Sequence, residues 1–292
     1  QEQLRDGRVV FIGDEKISDV TKHPSLKRAA KTVAGLYDLK HNKEYKDHLT
    51  YEENGETFST WFIQAKNKDD LRKRSKAHKI IADQTSGMMG RSMDHVASFV
   101  TGMSTSTDIF DNEKYKFSDN LLNYYEYMKK NDVFASYAVV PPQAARNPEF
   151  YQKRNLPIPT LSVVSENDKG VVISGMKMLA TSAIFANEIW IGNLIPLAPD
   201  QVKQSITCAI PCNANGLSLW MRQPLSNHYD NQFDAPLSWN QDETDVLVMC
   251  DKVLVPWERI FVKDDAIQAR EIYFKTPAPV SYTHLRAHET RP

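Results

Sequence analysis

The apolar positions of this chain change period once, near residue 134. Before it they recur every three or four residues, the spacing that lines one face of a helix. "HPSLKRAAKTVAGLYDLKH" sets Leu26, Ala29, Ala30, Val33, Leu36 and Tyr37 on one such stripe. "NKDDLRKRSKAHKIIADQTSG" predicts a second helix. Asp69 and Asp70 in its first turn suit the positive end of the helix dipole, and it stops near Gly87. "MDHVASFVTGMSTSTDIF" and "FSDNLLNYYEYMKKND" are two more; in the latter, Leu121, Tyr124, Tyr125 and Met128 form the stripe, and Ser118 is the expected N-cap.

Beyond residue 134 the pattern is that of strands. "FASYAVVPP" is a strand closed by two prolines, and "TLSVVSENDKGVVISGMKML" is two β-rich runs around the turn "ENDKG", a hairpin signal. "NEIWIGNLI", "QSITCAIPC", "GLSLWMRQ" and "TDVLVMCDKVLVPWERIFV" continue it, with Pro, Asn and Gly supplying the turns. "DDAIQAREIYFK" turns helical again. Helices followed by strands predict an α+β fold with segregated layers. The expected domains are a helical one over 1–133, a β-domain over 134–262 and the start of another helical domain over 263–279.

The final "VSYTHLRAHETRP" breaks the pattern. Residues 280–292 are expected to be a non-native scar on a C-terminally truncated piece of a longer chain. His284 and His288 stand at the i, i+4 spacing that lets two imidazoles share a metal, but Leu285 holds the place where the zinc-protease pattern needs Glu. No metal site is assigned.

Composition narrows the class. Apolar residues make up 41% and charged residues 25%, ordinary for a soluble globular protein. A net charge of -1 gives no general pull toward nucleic acid or anionic membrane. No apolar run approaches the ~20 residues that span a bilayer, and "QEQLRDGRVVF" lacks the apolar segment of a signal peptide. The seven basic residues from Lys66 to Lys79 share their helix with Asp69 and Asp70 and no aromatic interleaves them, so they read as a solvated face. Three cysteines, Cys208, Cys212 and Cys250, are too few and odd for a disulfide framework and suit a reducing cytoplasm. Cys208 and Cys212 read as buried strand thiols.

Residues 87–95, "GMMGRSMDH", put Arg91 and His95 four residues apart after a glycine bend. On spacing alone, this is a helix end, a bend and a helix start, with Arg91 at the surface. "THPSLKRAAKTVAGLYDL", "LTYEENGE", "GMMGRSMDH", "PPQAAR", "GMKMLATSA", "DKVLVPWERIF" and "REIYFKTPA" together change that reading. In order through nearly all of residues 5–278, they resemble the large oxygenase component of two-component flavin-dependent phenol hydroxylases, the 4-hydroxyphenylacetate 3-monooxygenase family. The resemblance implies an acyl-CoA dehydrogenase-like fold: an N-terminal helical domain, a middle β-barrel or sandwich, and a C-terminal helical bundle that this chain lacks. It implies reduced FAD from a separate flavin reductase, O2 as co-substrate, ortho-hydroxylation of a phenol through a C4a-hydroperoxyflavin, and a homotetramer.

Such chemistry is electrophilic attack on a ring most reactive as phenolate. The protein must stabilise the phenolate oxygen, hold ring and flavin in attack geometry and exclude water. Arg91 matches the family arginine that faces the substrate hydroxyl, and its permanent charge suits an oxyanion. Gly87 and Gly90 would leave room for a flat ring. His95 stands where many family members carry Tyr, and Tyr137 where many carry His. Either type can donate to phenolate, and His can act as acid or base near neutral pH. Arg91, His95 and Tyr137 are therefore the expected phenol-binding group. The competing reading is that the exchange marks a different substrate, or that His95 is a satisfied helix histidine. Flavin contacts carry over to Tyr137, Gln143, Arg146 and Thr181, with Ser182 a weaker candidate. "VPWER" reads as architecture, with Val255 and Trp257 packing and Glu258 and Arg259 pairing or facing solvent.

Two other readings stand beside this one. A 4-hydroxybutyryl-CoA dehydratase would need iron–sulfur cysteines in the helical half, and none precedes Cys208. A truncated flavin-binding or interaction module without turnover is the non-enzyme alternative. The phenol itself is not written in the sequence.

Overall fold

The computed structural model describes residues 1–278, and for Arg146 it describes the backbone alone. The expected scar and the His284/His288 pair lie outside the described residues.

Two short strands come first, β1 (Val10–Ile12) and β2 (Glu15–Ile17). The helical part follows: α1 (Lys27–Asp38), α2 (Lys46–Leu49), the hairpin β3 (Thr50–Glu53) and β4 (Glu56–Ser59), then α3 (Lys68–Gln84), α4 (Met93–Met103) and α5 (Ser118–Asn131). Next come β5 (Ala135–Ala138), α6 (Pro148–Gln152), β6 (Ser162–Asn167), β7 (Gly170–Lys177) and β8 (Glu188–Ile191). The remainder is β9 (Thr207–Pro211), β10 (Leu217–Met221), α7 (Ser238–Gln241), β11 (Val246–Pro256), β12 (Ile260–Val262) and α8 (Gln268–Glu271). The strands form a six-stranded sheet, β2-β1-β10-β11-β7-β6, and a four-stranded sheet, β12-β9-β8-β5, beside the β3-β4 hairpin. This is the α+β architecture expected from the pattern. No helix among the described residues is long and apolar enough to cross a membrane.

The helix stripes bury as read: Ala29, Ala30, Val33 and Leu36 on α1, and Leu121, Tyr124, Tyr125 and Met128 on α5. α3 closes as anticipated, with Gly87 at φ +72 and its N–H returning to Ala82 O at 2.9 Å. Its start is capped by Asn67, whose Oδ1 accepts from the N–H groups of Asp69 and Asp70. Ser118 is not the N-cap. It is the first helical residue of α5, and its N–H goes to Asp111 Oδ1 at 3.0 Å. The Asp111–Lys116 bridge returns that carboxylate to the helix end, a loop closure no local spacing records.

The β half differs from its pattern in two places. β1 joins the six-stranded sheet, parallel to β10, with Phe11 stacked on Trp220 at 4.3 Å. Three residues are too few to display a period, so the partner strand decides. "TDVLVMCDKVLVPWERIFV" is not one strand. It bulges between Cys250 and Val253, turns at Trp257–Arg259, and ends as β12 in the other sheet. The "ENDKG" hairpin forms, its Asn167 Oδ1 accepting from Lys169 and Gly170 N–H.

Aromatic packing joins the layers. Trp190 on β8 stacks on Phe261 of β12 at 4.7 Å, and Tyr124 of α5 covers both. All three cysteines are free, buried thiols. Val255 is buried, Trp257 donates to Asn167 O, Arg259 pairs with Glu188 at 2.8 Å, and Glu258 is exposed.

Candidate active site

Every residue of α4 is buried, so the helix runs through the core rather than over it. His95 lies in its first turn and Phe99 one turn on, both toward β5. The His95 imidazole meets the Tyr137 ring edge to face at 5.6 Å and the Phe99 ring at 5.7 Å. Phe99 also contacts Tyr137 at 5.2 Å and Trp190 at 5.7 Å. Tyr137 is half-buried on β5, in register with Trp190 on β8. Tyr273, beyond α8, closes the cluster at 6.3 Å from Tyr137, and its hydroxyl accepts from Trp190 Nε1 at 2.9 Å. Burial pushes the Tyr273 phenol well above its usual range. Edge-to-face pairs contribute about 0.5–1.5 kcal/mol each beyond area burial, so this wall is held by several small terms.

Arg91 precedes the N-cap of α4, half-buried. Its backbone N–H donates to Glu243 Oε1 at 2.6 Å. Among the described residues its guanidinium makes no hydrogen bond or ion pair, which leaves five donors uncommitted.

The flavin candidates sit on two loops, one after β5 of the four-stranded sheet and one after β7 of the six-stranded sheet. Val140 bridges Met178, so "PPQ" and "LATS" depart side by side. Ser136 Oγ donates to Thr181 O at 2.7 Å, which ties the second loop to β5. Gln143 is exposed on a short 3-10 turn. Thr181 is buried and its hydroxyl donates to Asp245 Oδ1 at 3.0 Å. Ser182 is left-handed at φ +61, with its N–H committed to the Glu243 and Thr244 carbonyls and its hydroxyl to Glu243 O. Arg146 lies on the Gln143 turn; its side chain is outside the description.

The structure thus brings His95 and Tyr137 together and connects Arg91 to Ser182 through Glu243. Gly87 and Gly90 lie on the bend before Arg91. They border a cavity of about 340 Å³ walled by His78, Ser92 and Asp94. A second cavity, about 170 Å³, lies between Gln64, Arg74, His78 and Thr101. Neither is lined by Arg91, His95 or Tyr137.

Residues 1–262 match the family described as 4-hydroxyphenylacetate 3-hydroxylase N terminal. The chain belongs to that family. It is 37% identical over 266 residues to the 4-hydroxyphenylacetate 3-monooxygenase oxygenase component of Thermus thermophilus, covering 90% of this chain and 53% of the relative. A 4-nitrophenol 2-monooxygenase oxygenase component from a Rhodococcus species is 31% identical, with 90% and 50% covered. The chain spans about half the length of the curated relatives it matches. Its structure superposes on that of the oxygenase component of 4-hydroxyphenylacetate 3-monooxygenase complexed with FAD and 4-hydroxyphenylacetate. The TM-score is 0.89 and the identity 35%, covering 97% of this chain and 58% of that one. An archaeal 4-hydroxybutyryl-CoA dehydratase shares the fold at TM-score 0.79 and 19% identity.

Three residues of the candidate site and its surroundings went unread in the sequence. Glu243 sits in "NQDETD", which carries no pattern. Tyr273 lies inside "REIYFKTPA", where nothing separates a wall residue from core. Asp94 had a signal: a carboxylate on a helix apolar on every side needs a partner. Its Oδ2 meets His78 Nδ1 at 2.7 Å, and its Oδ1 accepts from Ser92 Oγ at 2.7 Å.

Proposed function

We propose that this chain is the N-terminal and middle part of the oxygenase component of a two-component phenol hydroxylase. It would place one oxygen atom ortho to the hydroxyl of a phenol resembling 4-hydroxyphenylacetate, using reduced FAD and O2. One observation carries the reading: His95 packs against Tyr137 while Arg91, four residues earlier in the chain, makes no guanidinium hydrogen bond or ion pair among the described residues. A cation and two polar rings are what a developing phenolate needs.

The residues present fit a flavin. The polar edge of an isoalloxazine offers two carbonyls and one N–H. The exposed Gln143 carboxamide supplies both a donor and an acceptor. The Thr181 hydroxyl, already donating its hydrogen bond to Asp245, keeps lone pairs to accept from the N–H. Ser182 has its N–H and its hydroxyl proton committed inward, so its part is to hold the loop. Reduced FAD, when bound, supplies the oxygen chemistry by reacting with O2. Arg91 would hold the phenolate oxygen by charge, and Tyr137 and His95 would donate to it. His95 would take the phenol proton as the ring is activated. Phe99, Trp190 and Tyr273 would keep water from the reacting centre.

The relatives' names describe oxygenase components, which supports a separate reductase as the source of reduced flavin. Buried free thiols support a reducing, cytoplasmic setting. The full-length protein is proposed to assemble as a homotetramer.

The test is reconstitution of the full-length protein with reduced FAD, 18O2 and 4-hydroxyphenylacetate. One 18O atom in a catechol product is expected. Flavin binding with no labelled product from a panel of phenols would establish a flavin-binding module instead.

A further inference from the structure

The segment between α7 and β11 holds the two halves of the candidate site together. Arg222 pairs with Asp242, which also accepts from Leu225 N–H at 2.8 Å and Thr244 N–H at 3.0 Å. This fixes residues 242–244 against the end of β10. From that support, bonds reach the loop after β7. Ser182 N–H donates to the carbonyls of Glu243 at 2.9 Å and Thr244 at 3.0 Å, and Ser182 Oγ donates to Glu243 O at 3.0 Å. Thr181 Oγ1 donates to Asp245 at 3.0 Å. One bond reaches the other way: the Glu243 carboxylate accepts the Arg91 N–H at 2.6 Å. A single residue therefore grips the flavin-side loop with its backbone and the phenol-side bend with its side chain.

The Arg91 bond goes to the main chain. It fixes where the arginine leaves the Gly90 bend without using any guanidinium donor. It is also charge-assisted, the stronger class of hydrogen bond. We propose that Glu243 is a positioning residue that sets Arg91 relative to the flavin-side loop, so that a flavin ordering residues 180–182 tightens the hold on the phenolate. Linkage makes the effect reciprocal: a bound phenol strengthens flavin binding by the same factor. The proposal rests on reading Arg91 as phenol-facing.

The experiment uses the full-length protein as wild type, Glu243→Gln, Glu243→Ala, Arg91→Met and the Glu243→Ala/Arg91→Met double variant. Hydrogen–deuterium exchange at the Arg91 amide and affinity for 4-hydroxyphenylacetate, with and without FAD, are the readouts. Losing a hydrogen bond to a charged acceptor should speed exchange in Glu243→Ala by about 10–100-fold. Glu243→Gln keeps a carbonyl acceptor but loses the charge, so its exchange should fall between wild type and Glu243→Ala. Phenol affinity should fall about 10-fold in Glu243→Ala, the benefit of FAD should vanish, and the loss should not recur on top of Arg91→Met. Wild-type exchange in Glu243→Ala overturns the proposal whatever the ligands do. Additive losses in the double variant overturn the claim that Glu243 acts through Arg91. Faster exchange with phenol affinity unchanged in both single variants supports the positioning of Arg91 and instead removes its phenol role.

Discussion

The imidazole of His95 stands perpendicular to the ring of Tyr137, centroids 5.6 Å apart and planes at 89°. An edge-to-face contact of this kind survives exchange of its two partners, because each can present an edge or a face. If both rings serve one phenolate, Tyr137→Phe and His95→Ala should each lower hydroxylation. A lost oxyanion donor costs about 100-fold or more in kcat. The double exchange His95→Tyr with Tyr137→His should retain more activity than either single change. Product yield per reduced FAD consumed, measured beside phenol affinity, decides it. Unchanged yield and affinity in both single variants would sink the idea.

Asp94 and His78 form a buried pair between α4 and α3, 2.7 Å apart. Burial pushes the Asp94 carboxyl up, but the bond and charge of His78, the Ser92 hydroxyl and the charge of His95 outweigh it. The net pKa falls below 3.8. A carboxylate with a depressed folded pKa contributes stability above its unfolded pKa and loses it as pH falls through the folded value. Wild type should therefore lose stability in acid below about pH 4, and Asp94→Asn should lose less over that range. At pH 7, Asp94→Ala should cost about 3–5 kcal/mol, since it strands one partner of a buried pair. Urea titrations from pH 3 to 7 measure both.

The helices and the large strands were legible because each buries one face and repeats its period over two or more turns or pleats. α1 and α5 show this residue by residue. β1 was not legible: three residues cannot display a period, and its identity comes from pairing with β10, two hundred residues away. The same holds for the cap of α5, supplied by Asp111 from beyond the helix. Of the site, "GMMGRSMDH" placed Arg91 and His95 next to each other, but their companions arrive through tertiary folding. Tyr137 comes on a parallel strand, and Glu243 comes from a loop whose composition says only that it is polar.

Lys177 is buried at the end of β7, with its ammonium on Asn193 Oδ1 at 2.7 Å. Burial lowers its pKa from 10.5 to about 7. Between these values the unfolded chain holds the proton that the folded chain has released, so this lysine makes stability rise with pH across that window. The buried thiols of Cys212 and Cys250, pushed up to about 12, act oppositely above about pH 9. The clean readout is the difference between wild type and Lys177→Met, which cancels the thiols. That difference should shift in favour of wild type by a few kcal/mol from pH 7 to 10.5. A flat difference across the window contradicts the shift.

Gly192 follows β8, where a Cβ would stand 2.1 Å from the Tyr273 hydroxyl and 3.3 Å from its ring carbon. Gly192→Ala must therefore displace the phenol oxygen that accepts from Trp190 Nε1. Overpacking of this kind costs about 1–3 kcal/mol, and here it adds to a lost buried hydrogen bond of about 1 kcal/mol. Tyr273→Phe removes the clashing oxygen and leaves only the tighter ring contact. Gly192→Ala should then be markedly less costly in the Tyr273→Phe background than in wild type, so that the double variant costs less than the sum of the two single changes. Denaturant midpoints of the four proteins give the coupling, and Trp190 fluorescence reports whether its environment changes with the loss of the Tyr273 contact. Additive costs would mean that Tyr273 yields freely and is no fixed part of the wall behind Tyr137.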